Sequence, residues 1–405
     1  MASISIKNIG PIRDSGSVNL TAVNLIIGRQ SSGKSTLMKI LCYCTWVEKK
    51  VMVDGEEFVS KYTHYGRFMK ELKQFHHLDA SFFSDDSEIQ YWGESVHIFV
   101  KGEKGNARIV RQPGFETKRH NLKISFIPSE RNMVSAIQNI GKAYKSTDYD
   151  SLYNYLWEFD EAKSMFDVEN AIEMPFDKNV VYYYDVKADK GLILLKKQKK
   201  KFETLFASSG IQSVLPIMVI VNYLASLVGT NKKISPRDIT NAIAKALLDK
   251  SKTIENLSDV DLNKVAQLIY YANVQVFVEE IEQNLFPQAQ FDVVSSVVKA
   301  IKEAKILSPD SRIVMTTHSP YVLTTLNFLM RVAQAYKQDS QRASGVCAPE
   351  YVLPASEYSA FWINSAGKVE DIVDHEYGFI KGDKLDEISE YLNEKTEILN
   401  DIIYG

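Results

Sequence analysis

No run of about 18 uninterrupted apolar residues occurs in this 405-residue chain. The most apolar stretch, VLPIMVIVNYLASLV (214–228), is broken by Asn222, Tyr223 and Ser226, which predicts a buried helix and no membrane span. The N-terminal MASISIKNIGPI lacks a basic segment followed by a long apolar run, so no secretory signal is expected. Cysteine is scarce: Cys42, Cys44 and Cys347 make no metal-ligand spacing and read as core or surface thiols of a protein in a reducing cytoplasm. A net charge of −3 gives no overall attraction to nucleic acid, so any such contact needs a local patch. No internal repeat and no sustained heptad pattern is present. With 45% hydrophobic and 24% charged residues, the chain can bury one large core or two modest ones.

What is present begins with GRQSSGKST (28–36). Gly28, four residues, then Gly33, Lys34 and Ser35 is the spacing of a phosphate-binding loop, where backbone N–H groups converge on an anion at a helix N-terminus. Glycine permits the close approach, Lys34 reaches the outer phosphates, and the Ser35 hydroxyl holds Mg²⁺. Gln30, Ser31, Ser32 and Thr36 complete the expected ATP cradle. The flanks agree: AVNLIIG (22–28) is a short apolar β-rich run, and STLMKILCYC (35–44) has helical spacing at Leu37, Ile40, Leu41 and Cys44.

Two later stretches supply chemistry. In VQVFVEEIEQNLFP (274–287) an apolar strand delivers two acids at its C-terminal end. Glu279 is expected on the metal side and Glu280 is expected to orient or deprotonate the attacking water. In RIVMTTHSP (312–320) a β-branched strand ends at Thr317, His318 and Ser319, with the helical run FDVVSSVVKAIKEA between it and the acids. Strand, helix and strand form a parallel unit whose ligands sit at the strand tips.

These features resemble the ABC-type ATPase heads of the SMC, RecF and OLD group, AAA family ATPases of the AAA_15/AAA_21 type. There too a strand, NIGPI and a second short strand precede the phosphate loop; ISIKNIGPIRDSGSVNL is read here as strand, turn, strand. Those loops often carry Asn-Gly where this chain has Gln30 and Ser31. The acid segment is similar to the EEPE..LHP segment of OLD-type ATPases: Glu279, Glu280, Glu282, Leu285 and Pro287 match, and Ile281 and Phe286 depart. The resemblance implies that His318 is the switch histidine that reads the γ-phosphate. It also implies that Ser208, Ser209 and Gly210, in ASSGIQSVLPIMVIVNYL (207–224), are the ABC signature. A serine-capped helix start offers N–H groups to an anion, and in such heads it serves the partner subunit's nucleotide. Head-to-tail dimers holding two ATP molecules, building a homo-oligomer, are therefore implied.

Weaker features lie between. LKISFIPSERNM (122–133) reads as a strand and then a helix, with Glu130 and Arg131 where ABC heads have a glutamine; either a switch role or a helix cap with a surface ion pair fits. LLKKQKKKF (194–202) reads as one basic strand, either a meeting point for nucleic acid or a partner, or a lysine-protected sheet edge.

The organisation expected is an α/β P-loop NTPase with a mixed, largely parallel sheet, an N-terminal antiparallel β-subdomain and a helical lobe. Residues 1–60 would hold the hairpin and phosphate loop, 61–200 a β-rich and helical middle lobe, and 201–345 the signature, acids and histidine. Residues 346–405 would form a strand and helix extension. A helical insert, 229–272, comprises SPRDITNAIAKALLDK and SDVDLNKVAQLIYYA, each opened by a capping serine, Ser235 and Ser258. After His318 the Asp-x-Asp of an OLD-type nuclease domain is missing. The acids of KVEDIVDHEYG (368–378) read as a turn and strand edge, and the last residues as an amphipathic helix with Leu385, Ile388, Leu392 and Leu399 on one side. The leading expectation is a cytoplasmic ATPase using ATP and Mg²⁺, a sensor or regulatory subunit for a separate effector, resembling the stand-alone ATPase halves of bacterial antiphage systems. A DNA-binding repair or chromosome-maintenance head, and an ATP-dependent scaffold with little turnover, stay open.

Overall fold

The computed structural model describes residues 2–114, 121–137, 150–228, 271–382 and 395–399. In chain order its main strands are β1 (Ser3–Ile9), β2 (Ile12–Asp14), β3 (Val18–Asn19), β4 (Val23–Gly28), β5 (Glu88–Trp92), β6 (Val96–Lys101), β7 (Arg108–Arg111) and β8 (Asn121–Ile127). There follow β9 (Ile172–Met174), β10 (Asp177–Asp185), β11 (Lys190–Leu195), β12 (Lys200–Glu203), β13 (Tyr271–Val278), β14 (Arg312–Thr317), β15 (Tyr358–Ile363) and β16 (Val369–Asp371).

β4 lies inside a six-stranded sheet of order β16-β15-β4-β14-β13-β8. Every pairing in it is parallel except that of β15 with β16, so the sheet is mixed, with an antiparallel edge. VNLIIG and RIVMTT are buried from end to end, as strands covered on both faces require. The polar residue within β4, Asn24, is fully paired: its Nδ2 donates to the carbonyls of Thr21 (2.8 Å) and Ile313 (2.9 Å), and its Oδ1 accepts from Thr21 N–H (2.8 Å).

Alternation along the strands divides the interior in two. Val23, Leu25 and Ile27 of β4, with Val276 and Val278 of β13, pack under the helices Ser209–Leu227, Pro287–Leu307 and Pro320–Gln338. Ile26, Phe277, Val314 and Phe361 face the opposite layer, made of the helix Lys34–Asp54 and an antiparallel sheet. That sheet has the order β2-β1-β5-β6-β7, with β3 also on β1. The segment before the phosphate loop is thus three strands and not two. β2 and β3 both pair with β1 across a bulge at Ser15, whose Oγ accepts from Ile6 N–H at 2.8 Å.

By length and composition the helix Ser209–Leu227 could cross a membrane, but here it is a core element, with Val214, Leu215, Ile217, Val219 and Ile220 all buried against the sheet's helical face. A further four-stranded antiparallel sheet, β12-β11-β10-β9, adds Tyr182 and Ile193 to the same core. The lysine run 194–202 is not the single strand expected. It turns back at Lys196–Lys199, where Lys199 has φ 50° and the Lys197 N–H donates to Asn179 Oδ1 at 2.6 Å, and β12 starts at Lys200. The helical insert lies outside the described residues except Tyr271 and Ala272, which open β13 instead of closing a helix. Of the C-terminal amphipathic helix, only residues 395–399, with Leu399, are described, and they are helical.

A buried carboxylate ties the phosphate-loop helix to the antiparallel layer. Glu48 accepts from Tyr91 Oη (2.5 Å) and from Ser95 N–H (2.7 Å) at the β5–β6 turn; burial raises its pKa, opposed by those two bonds. Gly93 passes so close that a Cβ there would overlap this carboxylate. Gly93→Ala is therefore expected to cost about 1–3 kcal/mol by overpacking, read by denaturant unfolding. Adding Glu48→Ala removes the overlap, so the two losses should combine to less than their sum.

Candidate nucleotide-binding site

The loop between β4 and the helix Lys34–Asp54 reverses through left-handed backbone at Ser31 (φ 60°) and Gly33 (φ 102°). Glycine is required at both ends of the motif. A Cβ on Gly28 would lie 2.6 Å from Ser32 Oγ, and one on Gly33 would lie 2.8 Å from Ile12 Cγ1. The helix start carries no side-chain cap and no acid in its first turn, so its unpaired N–H groups and positive dipole end are left for an anion.

Lys34 is nearly buried, 5% exposed. Its Nζ donates to the carbonyls of Gly28 (2.9 Å) and Arg29 (2.8 Å) and meets His318 Nδ1 at 3.1 Å. Burial pulls its pKa down to about 8, against the pull of Glu280 and Glu282 in the other direction. With Lys34 donating to Nδ1, the imidazole keeps its proton on Nε2, which faces Glu280 Oε1 at 3.3 Å. Lysine, histidine and glutamate therefore form one chain across the C-terminal tips of β4, β14 and β13.

The two acids are held differently. Glu279 continues the pairing with β8, its N–H donating to Ile127 O at 2.9 Å, and its carboxylate accepts from Ser129 N–H at 3.2 Å. Glu280 sits in the left-handed region, φ 43°, a conformation costing about 1–2 kcal/mol for a residue with a side chain. Thr316 Oγ1 accepts from its N–H at 2.9 Å, and Arg131 Nη2 donates to its carbonyl at 2.7 Å. Glu282 Oε1 accepts from the His318 N–H at 2.6 Å, fixing the histidine's backbone.

Arg131 corrects one expectation. It is not in a surface ion pair: it is fully buried in a 3₁₀ turn, Ser129–Asn132, among carbonyl acceptors, and burial lowers its pKa to about 10. Glu130 stays exposed, accepting from Ser129 Oγ at 3.1 Å. Thr316 and Glu282 are the residues of this cluster that sequence reasoning assigns no role, and the acidic repeat of EEIE is the local signal for the second.

Ser208 caps the helix Ser209–Leu227, with its side chain 3.5 Å from Ile211 N. Ser208 and Ser209 are exposed, while Gly210 packs on the acid loop, where an added Cβ would lie 3.2 Å from Asn284 O. The structure thus gathers the phosphate loop, both acids and His318, and leaves Ser208 and Ser209 exposed beside them.

The residues suit a nucleotide carried with Mg²⁺. Ser32 Oγ is buried and has no hydrogen-bond partner, as a hydroxyl of a phosphate cradle would be. Among the described residues no cluster of three metal-ligating side chains occurs; Mg²⁺ held largely by phosphate oxygens and water needs only one or two protein ligands.

A mixed sheet whose parallel strands carry a phosphate loop, two acids and a histidine at adjacent tips defines a P-loop ATPase head of the α/β class. The family model AAA_23, an AAA domain, matches residues 3–402, and the chain belongs to that family. No curated protein matches the sequence. Among solved structures the chain is similar to the SMC head domain of Thermotoga maritima, at 12% identity over 80% of this chain and 90% of that one, with a TM-score of 0.35. It is similar to the Smc head of Pyrococcus furiosus bound to the C-terminal domain of ScpA, at 9% identity over 99% and 100% of the two chains, with a TM-score of 0.41. It is also similar to the recombination mediator RecF, at 11% identity over 92% and 97%, with a TM-score of 0.32. At such overlaps the fold rests on the chain's own topology and the family match.

In a ¹³C-lysine NMR titration Lys34 is expected to show a midpoint near 8. Glu280→Gln should move that midpoint lower, because the carboxylate that favours the charged amine is gone. An unchanged midpoint would mean that Glu280 does not act on Lys34.

Proposed function

We propose that this protein binds and hydrolyses ATP and acts as a regulatory subunit for a separate effector. The observation that carries the reading is the hydrogen-bonded chain of Lys34, His318 and Glu280 across three strand tips. Lys34 leaves its loop carbonyls for the outer phosphates, with the N–H groups of the helix start around them. Ser35 and Glu279 would hold Mg²⁺, which when bound neutralises charge developing on the phosphates. Glu280 orients and deprotonates the attacking water, and His318 links the state of that carboxylate to Lys34 and the γ-phosphate. Ser208, Ser209 and Gly210 complete the neighbour's site in a head-to-tail dimer; the exposure of both serines supports this. The likeness of the motif set to the ATPase halves of bacterial antiphage systems supports a cytoplasmic defence role.

A second reading, a head acting on DNA, is favoured by the lysine hairpin: Lys197, Lys199, Lys200 and Lys201 are exposed at its tip and edge. ATP turnover measured with and without duplex DNA separates the two, since stimulation would favour the second.

Lys34→Ala is expected to lose nucleotide binding in a titration with labelled ATP. Glu280→Gln should keep ATP and hydrolyse it about 100-fold more slowly or worse, having lost the base and kept the shape. If Glu279→Gln traps ATP while Glu280→Gln turns over normally, the order of the acids is reversed.

Ser209→Arg should block hydrolysis while leaving ATP bound at the loop. Mixed with Lys34→Ala, it forms heterodimers in which one composite site carries both lesions and the other none. Some activity should return on mixing two inactive proteins. Full activity of Ser209→Arg alone would reduce the segment to a helix cap.

A further inference from the structure

We infer that Arg131 is a positioning residue through which the N-terminal part of the helix Ser209–Leu227, at Ser213, sets the geometry of the acid pair. The inference rests on the reading of Glu279 and Glu280 as the acids of hydrolysis. Arg131 is wholly buried and reaches two separate elements. Its Nε donates to Ser213 O at 3.0 Å, its Nη1 to Glu279 O at 2.6 Å, and its Nη2 to Glu280 O at 2.7 Å. These donors leave one rigid plane in a fixed fork. Three carbonyls seated on that fork keep their relative positions, and a shift of Ser213 is passed to both acids.

Glu280 is where such a shift matters most. With φ at 43° its side-chain direction depends on how its peptide is held, by Thr316 at the N–H and by Arg131 at the carbonyl. A second tie runs in parallel: Asn284 Nδ2, in the acid loop, donates to Ser213 Oγ at 2.9 Å, and Gly210 packs on Asn284 O. Arg131 is itself anchored, because its carbonyl accepts from Tyr155 Oη at 2.6 Å. Whatever meets Ser208 to Gly210 from outside therefore presses on a helix turn whose Ser213 carbonyl shares one side chain with the Glu280 carbonyl. A neighbour's nucleotide engaging that turn would in this way adjust the acid of the opposite site.

The test uses the full-length protein with Arg131→Met and Arg131→Lys, the second keeping a buried charge in case the first does not fold. Thermal unfolding identifies the folded variants. In these, kcat should fall by about tenfold or more while ATP affinity at the loop stays within about threefold, since no Arg131 donor reaches the phosphate loop. Gly210→Ala, which pushes the same turn against Asn284, should lower kcat severalfold in the wild-type background and add little in an Arg131 variant. Wild-type kcat in a folded Arg131 variant overturns the inference. So do equal losses of affinity and kcat, which would mark a general structural role, and full additivity with Gly210→Ala. Absence of hydrolysis in the wild-type protein would overturn the ATPase reading itself, and the inference with it.

Discussion

The pairing of β14 with β4 on one side and β13 on the other decides where every group of the site can lie. Leu25, Met315, Val278 and Ile127 form one row across four parallel strands. Within three residues beyond that row the chain delivers Gly28, His318, Glu279, Glu280 and Ser129, all at the same edge. Because side chains alternate along each strand, a slip of one residue would turn Ile27 or Val278 out of its core. The two interiors on either face thus hold the register that brings Lys34, His318 and Glu280 into line.

Much of this was legible in the sequence where the signal is local. The phosphate loop is a contiguous motif whose backbone requirements fall on Gly28 and Gly33, and the strands before it and before the acids are apolar runs bounded by polar tips. Departures arose where partners are distant or the turn chemistry is unusual. Arg131 lies two residues after a serine near a predicted helix start, where a charged residue is ordinarily solvated; its acceptors lie 82, 148 and 149 residues away. Thr316 and Glu282 are placed by the same kind of long-range closure. The lysine run read as one strand because its turn contains no glycine, proline or asparagine, and Lys199 takes the left-handed position itself. The helix expected over 35–44 runs on to Asp54, since Tyr43, Val47 and Val51 continue its buried face.

The site has an inside and an outside. Lys34, Glu279 and Arg131 are buried and bonded to backbone groups of several elements, so their positions are set by the fold as a whole. Ser208 and Ser209 are exposed on the turn that touches the acid loop, so their position is open to what arrives from solution.

The position of β4 also bears on how the chain is made. All six of its residues are buried, and Asn24 finds its acceptor in Ile313, 289 residues later. At the usual pace of synthesis the interval between those two residues leaving the ribosome is about 15–60 s. Throughout it VNLIIG is an apolar strand with both pairing edges empty, the kind of segment that recruits other chains. The antiparallel sheet and the phosphate-loop helix are complete long before, so they can cover one face of β4 early; its edges remain to be shielded by a chaperone or by speed. The same central placement that aligns the site leaves β4 without either neighbouring strand until the last third of the chain is made.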